Sequence, residues 1–146
     1  GSRVLTVSRD KTGIIWSKSG EQDLTLQGHQ DVVTGCAVFP SGDRVATCSL
    51  DNTAMIWTAA GQALKVLRGH SDAVNACAIF PSCEELLTAS QDRTAIIWSV
   101  QSGAVLRVLR GHTKGITSCK VFQSGKRALT VSEDSTGIIW PTSFHM

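Results

Sequence analysis

The sequence predicts an all-β fold that is built from about four copies of one antiparallel unit. The four tryptophans, Trp16, Trp57, Trp98 and Trp140, are separated by 41, 41 and 42 residues. A Ser-x-Asp-x-Thr block precedes each tryptophan, and Gly-His pairs recur in the same phase at residues 28–29, 69–70 and 111–112. Self-similarity at a period of about 40 residues is the signature of a repeat architecture. The repeat therefore predicts the fold.

The unit that contains Trp57 shows how one repeat is built. Residues 32–39 are apolar and β-branched, residues 40–43 read Pro-Ser-Gly-Asp, and residues 44–49 form a second extended run. This order predicts a hairpin. Residues 54–58 and 63–68 predict a third and a fourth strand. Four short strands per repeat, with no helical period, are typical of a β-propeller blade.

The motifs of the repeat also point to a family. The period, the Gly-His pair and an Asp six residues before each Trp resemble WD40 repeats over residues 3–140. The residue after each Trp differs from the Asp of the family name, since it is Ser17, Thr58, Ser99 or Pro141. The resemblance implies a partial ring of about four blades. We assign a partial blade to 3–27, blades to 28–68 and 69–110, and a partial blade to 111–140.

A Thr, a His and an Asp that recur together could be mistaken for the triad of a hydrolase. The resemblance instead implies a hydrogen-bonded tetrad that braces each blade. The chemistry of the four groups is compatible with such a chain: an indole N–H donates, a Thr hydroxyl accepts it and donates onward, and a neutral His accepts from the hydroxyl and donates to a carboxylate. The implied tetrads are His29, Thr47, Asp51 and Trp57; His70, Thr88, Asp92 and Trp98; and His112, Thr130, Asp134 and Trp140. The first unit keeps Thr6, Asp10 and Trp16 but has no His. We therefore predict no catalytic residue.

WD40 proteins usually bind their partners on the narrow face around the central channel. The resemblance places on this face the early residues of each first strand, namely Val32, Thr34, Ala73, Asn75, Gly115 and Thr117. It also places there the residue before each turn Asp, namely Arg9, Leu50, Gln91 and Glu133. These turn residues differ between repeats, which fits a recognition surface and unconstrained solvent-facing turns equally well.

Composition excludes several other classes of function. The net charge is +2, so there is no strong field that would favour nucleic acid. No apolar run approaches the roughly 20 residues of a membrane-spanning helix. Each His of a Gly-His pair precedes a Cys by seven residues, about 23 Å along a strand, so the two cannot share a metal ion. We expect no metal and no cofactor. Five cysteines without a disulfide-like spacing predict a reducing, cytoplasmic location.

The predicted strands leave the propeller ring incomplete. The first unit has no predicted inner strand and the last has no predicted outer strand, whereas a propeller has about 4 to 8 blades. Either the chain is part of a longer propeller, or copies assemble into a ring, in which case a homodimer would have eight blade positions. We predict a homodimer. Residues 1–2 and 145–146 resemble remnants of cloning.

The predicted function is a non-catalytic scaffold that binds a protein or peptide partner. The alternative is a structural fragment, or a self-assembling half-propeller with no partner beyond itself. The recurring polar residues all have a bracing role under the resemblance, which leaves no cluster of acids, bases or metal ligands unexplained. A fold of this kind hosts many functions, so it names no partner.

Overall fold

The computed structural model describes residues 3–143, which form fourteen strands in four antiparallel sheets. No helix occurs within these residues, and the predicted all-β fold of a partial propeller is confirmed. The suggested cloning remnants, 1–2 and 145–146, lie outside the described residues. We name the sheets blades 1 to 4 in chain order.

Each blade is a meander in which every strand pairs with the next one along the chain. Blade 1 contains β1 (Arg3–Val7), β2 (Thr12–Ser17) and β3 (Gln22–Gln27). Blade 2 contains β4 (Val33–Val38), β5 (Arg44–Ser49), β6 (Thr53–Thr58) and β7 (Ala63–Arg68). Blade 3 contains β8 (Val74–Ile79), β9 (Glu85–Ser90), β10 (Thr94–Ser99) and β11 (Val105–Arg110). Blade 4 contains β12 (Ile116–Val121), β13 (Arg127–Ser132) and β14 (Gly137–Pro141).

The Ser-x-Asp-x-Thr blocks form the tight turns between the second and third strands of a full blade. In blade 2, Asn52 takes a φ of +71°. The Asp51 carboxylate closes this turn, because its Oδ1 accepts the backbone N–H of Thr53 at 2.9 Å. Asp side chains commonly stabilise a turn by bonding a backbone amide two residues on. Local sequence therefore specifies the turn.

The blades pack face to face in chain order. Between blades 2 and 3, Phe39 and Ile56 pack with Leu86, Trp98 and Val100. These five side chains are at most 4% exposed. Similar clusters fill the junctions between blades 1 and 2 and between blades 3 and 4. The core of the protein therefore lies between the sheets.

Each inner blade has two distinct faces, because successive residues of a strand point to opposite sides. In blade 2, Met55 and Trp57 pack toward blade 1, whereas Ala46, Ala54 and Ile56 pack toward blade 3. We call these the tryptophan face and the reverse face. The tryptophan face of one blade packs on the reverse face of the blade before it.

Two of these faces have no covering sheet within residues 3–143. On the tryptophan face of blade 1, Val4 is 60% exposed and Trp16 is half-buried. On the reverse face of blade 4, Val131 and Ile139 are 37% and 54% exposed. The equivalent side chains inside the stack are buried. One uncovered face is therefore a tryptophan face and the other is a reverse face, and faces of these two types pack together elsewhere in the chain.

Candidate functional site

The predicted tetrad of blade 3 is assembled as a continuous hydrogen-bonded chain. The Trp98 indole N–H donates to the Thr88 hydroxyl at 2.8 Å. That hydroxyl lies 2.7 Å from His70 Nε2, and His70 Nδ1 lies 2.7 Å from Asp92 Oδ2. Burial lowers the pKa of His70, so its ring is neutral at pH 7. Thr88 therefore donates to Nε2, and the proton on Nδ1 is donated to Asp92.

Blades 2 and 4 have the same geometry. In blade 2 the Trp–Thr hydrogen bond is 2.9 Å long, and the Thr–His and His–Asp hydrogen bonds are each 2.8 Å long. In blade 4 each link is 2.8 Å. Blade 1 has no His, and there Trp16 donates to Thr6 at 2.7 Å while Asp10 accepts from Thr12. The links join His29, Thr47, Asp51 and Trp57 in blade 2, and His112, Thr130, Asp134 and Trp140 in blade 4.

The tetrad carboxylates are strongly hydrogen-bonded. Burial by itself would raise the pKa of Asp92, but hydrogen bonds from Thr94 and His70 hold it below its ordinary value. In blade 4, hydrogen bonds led by that from the Thr136 hydroxyl hold the pKa of Asp134 well below its ordinary value. A carboxylate held by several donors stays ionised. These groups are therefore poor general acids at neutral pH.

In blades 2, 3 and 4, the turn residue that the sequence placed on the narrow face lies beside the residue directly before the first strand, where the sequence had predicted an early residue of the strand itself. The backbone N–H of Leu50 donates to Val32 O at 2.9 Å, and that of Gln91 donates to Ala73 O at 2.9 Å. In blade 4, Glu133 N donates to the carbonyl of Gly115 at 3.0 Å. The two sets of predicted contact residues thus meet at the same place in each of these blades.

The three repeats that carry a tetrad match a known family of proteins. The family model described as WD domain, G-beta repeat, matches residues 20–58, 61–99 and 103–141. The chain belongs to the WD40-repeat family. A search of curated proteins found no match. WD40 repeats generally mediate protein–protein interactions, so the narrow face of these repeats is the candidate functional site.

Polar side chains join neighbouring WD40 blades at this face. Asn75 Nδ2 donates to Gln91 Oε1 at 3.1 Å and to Ile116 O at 2.9 Å, which links blade 3 to blade 4. Gln91 Nε2 then donates to Glu133 Oε2 at 3.3 Å. Between blades 2 and 3, the Thr34 hydroxyl donates to Val74 O at 2.5 Å. Thr34 and Asn75 therefore hold adjacent blades together.

The candidate contact residues differ in exposure. Solvent-exposed positions are Arg9, Leu50, Thr117 and Glu133. Half-buried positions are Val32, Thr34, Ala73, Asn75 and Gln91. Gly115 is buried beneath the Gln91 side chain, since a Cβ at this position would lie 2.4 Å from Gln91 Nε2. The turn residues are therefore the more accessible part of the face.

The side chains of residues 3–143 also bear on metal binding. This range contains no group of three His, Cys, Asp or Glu side chains that could hold a metal ion. All five cysteines are free thiols, and burial raises the pKa of Cys36 and Cys119. In the same range there is no helix of the length and hydropathy needed to cross a membrane.

The sequence did not predict the polar links between blades. Thr34, Asn75 and Thr117 occupy the same position in the first strands of blades 2, 3 and 4. A polar residue repeated at a point where the first strands approach one another was the available signal. This repeated polar residue indicates a hydrogen bond between blades only when the distance from its side chain to the next blade is known.

Proposed function

We propose that this WD40 chain is a non-catalytic scaffold that binds a protein or peptide on its narrow face. One contrast between the repeats supports this proposal. The tetrad residues are the same in blades 2, 3 and 4, whereas the turn positions above them change from Leu50 to Gln91 to Glu133. Because the tetrads repeat while the turn residues vary, each blade presents a different side chain on this face. We call Arg9, Leu50, Gln91 and Glu133 the turn set.

The chemistry of the turn set describes the partner that it would suit. Leu50 is 39% exposed and offers an apolar contact. Arg9 on blade 1 is basic, and Glu133 on blade 4 is acidic, so the charge changes sign from one end of the set to the other. Complementary charge improves specificity and the rate of association. A partner with an apolar centre, an acidic group at one end and a basic group at the other fits this surface.

The tetrads support a scaffold instead of an enzyme. His29, His70 and His112 are between 7% and 8% exposed. Each tetrad hydroxyl already accepts an indole N–H, so it is not presented to a substrate. Within residues 3–143, no buried side-chain nitrogen or oxygen lacks a hydrogen-bond partner. Saturated buried groups of this kind are typical of structural networks.

A pull-down with matched variants tests the docking face. The test variant carries Arg9→Ala, Leu50→Ala, Gln91→Ala and Glu133→Ala, and we expect its affinity for captured partners to fall at least tenfold, about 1.4 kcal/mol. The control carries Leu64→Ala, Arg68→Ala, Leu106→Ala and Arg110→Ala on the outer strands, which are also exposed. We expect the control to bind as the wild type does. Equal capture by both variants would argue against this face.

We also propose that two copies form a ring of eight blade positions. The uncovered tryptophan face of blade 1 and the uncovered reverse face of blade 4 support this proposal, because faces of these two types pack together at every junction in the chain. Blade 1 of each copy would pack on blade 4 of the other, and a twofold axis would relate these two equivalent contacts. Such an assembly need not bind any other protein, which is the alternative function.

Light scattering over a dilution series tests the ring. We expect a dimer mass for the wild type and a monomer mass for Ile139→Asp, because a charge in an apolar contact is costly. Val105→Asp is the matched control, since Val105 is 45% exposed on an outer strand, and it should remain dimeric. A wild-type monomer at all concentrations would refute the ring.

A reducing, cytoplasmic site of action is also part of the proposal. The five cysteines support it, since they are free thiols and two of them, Cys48 and Cys119, are buried. Free thiols persist in reducing compartments.

A further inference from the structure

Two cysteines from different blades meet in the core between blades 2 and 3. Cys48 lies on β5 and is 0% exposed, and Cys77 is half-buried on β8, the first strand of blade 3. Both side chains pack in the same apolar cluster. Each of the two blades has four strands, so this junction lies between two full blades.

Two further contacts place the Cys48 sulfur against β8. Cys48 Sγ lies 3.5 Å from Thr34 Oγ1, and that hydroxyl donates to Val74 O in β8 at 2.5 Å. A Cβ on Gly35 would lie 3.0 Å from Cys48 Sγ and 3.6 Å from the Cα of Ala76 in β8. The Cys48 sulfur and the backbone of β8 are therefore close to the same point.

The two thiols also interact directly. A hydrogen bond with Cys77 is the main cause that lowers the pKa of Cys48, and the same contact raises the pKa of Cys77. A thiol of lowered pKa has a larger fraction of thiolate, which is the nucleophile of cysteine chemistry. The contact therefore makes Cys48 the more reactive thiol and holds a second sulfur beside it.

The neighbouring junctions have one cysteine at this place instead of two. Each first strand of blades 2, 3 and 4 has a cysteine at the same position, but the residue that corresponds to Cys48 is Val7 in blade 1 and Ala89 in blade 3. Cys119 packs with Ala89 in the cluster between blades 3 and 4. The repeat therefore packs well with alanine at the Cys48 position, so packing between blades does not require a second thiol there.

We propose that Cys48 and Cys77 are a site of reversible oxidation, at which hydrogen peroxide forms a disulfide that links blade 2 to blade 3. The Cys48 thiolate attacks one peroxide oxygen, so that an S–O bond forms, the O–O bond breaks, and the other oxygen leaves as water with the proton that Cys48 released. The Cys77 sulfur then attacks the sulfenic sulfur of Cys48. The S–S bond forms, and the hydroxyl group leaves as a second water with the Cys77 proton. The two sulfurs lose two electrons in total, and the peroxide gains them.

Mass spectrometry of peroxide-treated protein tests the proposal. The folded 146-residue protein is oxidised, its remaining thiols are alkylated in urea, and it is digested with trypsin. We expect peptides 45–65 and 69–93 to be linked, with a mass about 2 Da below the sum of the reduced peptides. The five free thiols should fall to three, since one disulfide consumes two of them, and dithiothreitol should restore all five.

Variants identify the partner of Cys48, because peptide 69–93 also contains Cys83. Cys48→Ala and Cys77→Ala should each abolish the linked peptides, and Cys48→Ala places at this position the residue that Ala89 supplies in blade 3. Cys83→Ser is the matched control and should give the wild-type yield. Linkage that survives Cys77→Ala and is lost in Cys83→Ser would overturn the proposal.

Unfolding the protein before oxidation shows whether the fold creates the site. We expect at least tenfold less of the linked peptides when the wild type is oxidised in urea, because the junction between blades 2 and 3 is then absent. An equal yield from folded and unfolded protein would overturn the proposal. Five alkylated thiols after oxidation of the folded protein would overturn it as well.

Discussion

Trp98→Ala is expected to lower the free energy of unfolding by about 3–5 kcal/mol. Trp98 is 1% exposed and packs in the cluster between blades 2 and 3. Its ring also lies against the backbone of Gly69, where a Cβ would be only 2.9 Å from the indole. Truncation therefore leaves a cavity at the centre of the stack. Since domains are stable by only about 5–15 kcal/mol, the loss is a large part of the total.

Urea unfolding followed by far-UV circular dichroism measures this loss. Trp16→Ala is the matched control, because Trp16 makes the same bond to a Thr hydroxyl but is only half-buried on the uncovered face of blade 1. We expect the control to cost less than half as much. Equal costs would mean that packing between blades does not dominate the stability of the protein.

Thr88→Val is expected to destabilise the protein by about 2–4 kcal/mol, although valine nearly preserves the volume of threonine. The Thr88 hydroxyl accepts the Trp98 N–H and donates to His70 Nε2. Both partners are buried, so both would be left without a hydrogen bond. An unsatisfied buried group costs about 1–3 kcal/mol. The same unfolding experiment measures the effect.

Thr6→Val is the control for this prediction. Thr6 is exposed and accepts only the Trp16 N–H within its blade, which has no tetrad His. We expect a cost below about 1 kcal/mol. A double-mutant cycle with Trp98→Phe should show coupling at Thr88, since removing both partners costs less than the sum of the single changes. If Thr88→Val were as mild as Thr6→Val, the tetrads would not brace the blades.

Much of the fold could be predicted from local patterns. The predicted strands at 32–39, 44–49, 54–58 and 63–68 lie within one residue of β4, β5, β6 and β7 at each end. Alternating apolar residues and turn chemistry act over a few residues, so they can be read directly from the chain. The tetrad partners could be named for the same reason, because they recur at constant spacing.

The candidate binding face was only partly predictable. Leu50 and Glu133 are exposed, as a contact surface requires, but Gly115 is covered by Gln91. Gln91 belongs to blade 3 and Gly115 to blade 4, and the spacing of the repeat does not reveal how one blade covers the next.

The amino-acid sequence by itself determined the repeat, the strands, the turns and the composition of each tetrad, because these depend on residues that are near one another or in constant phase. Tertiary structure alone decided which copy of each motif is buried. Trp16 and Trp57 follow similar local sequences, yet Trp57 is 2% exposed and Trp16 is half-buried. Burial of a sheet face depends on the sheet that packs against it, and no residue within a strand specifies that neighbour.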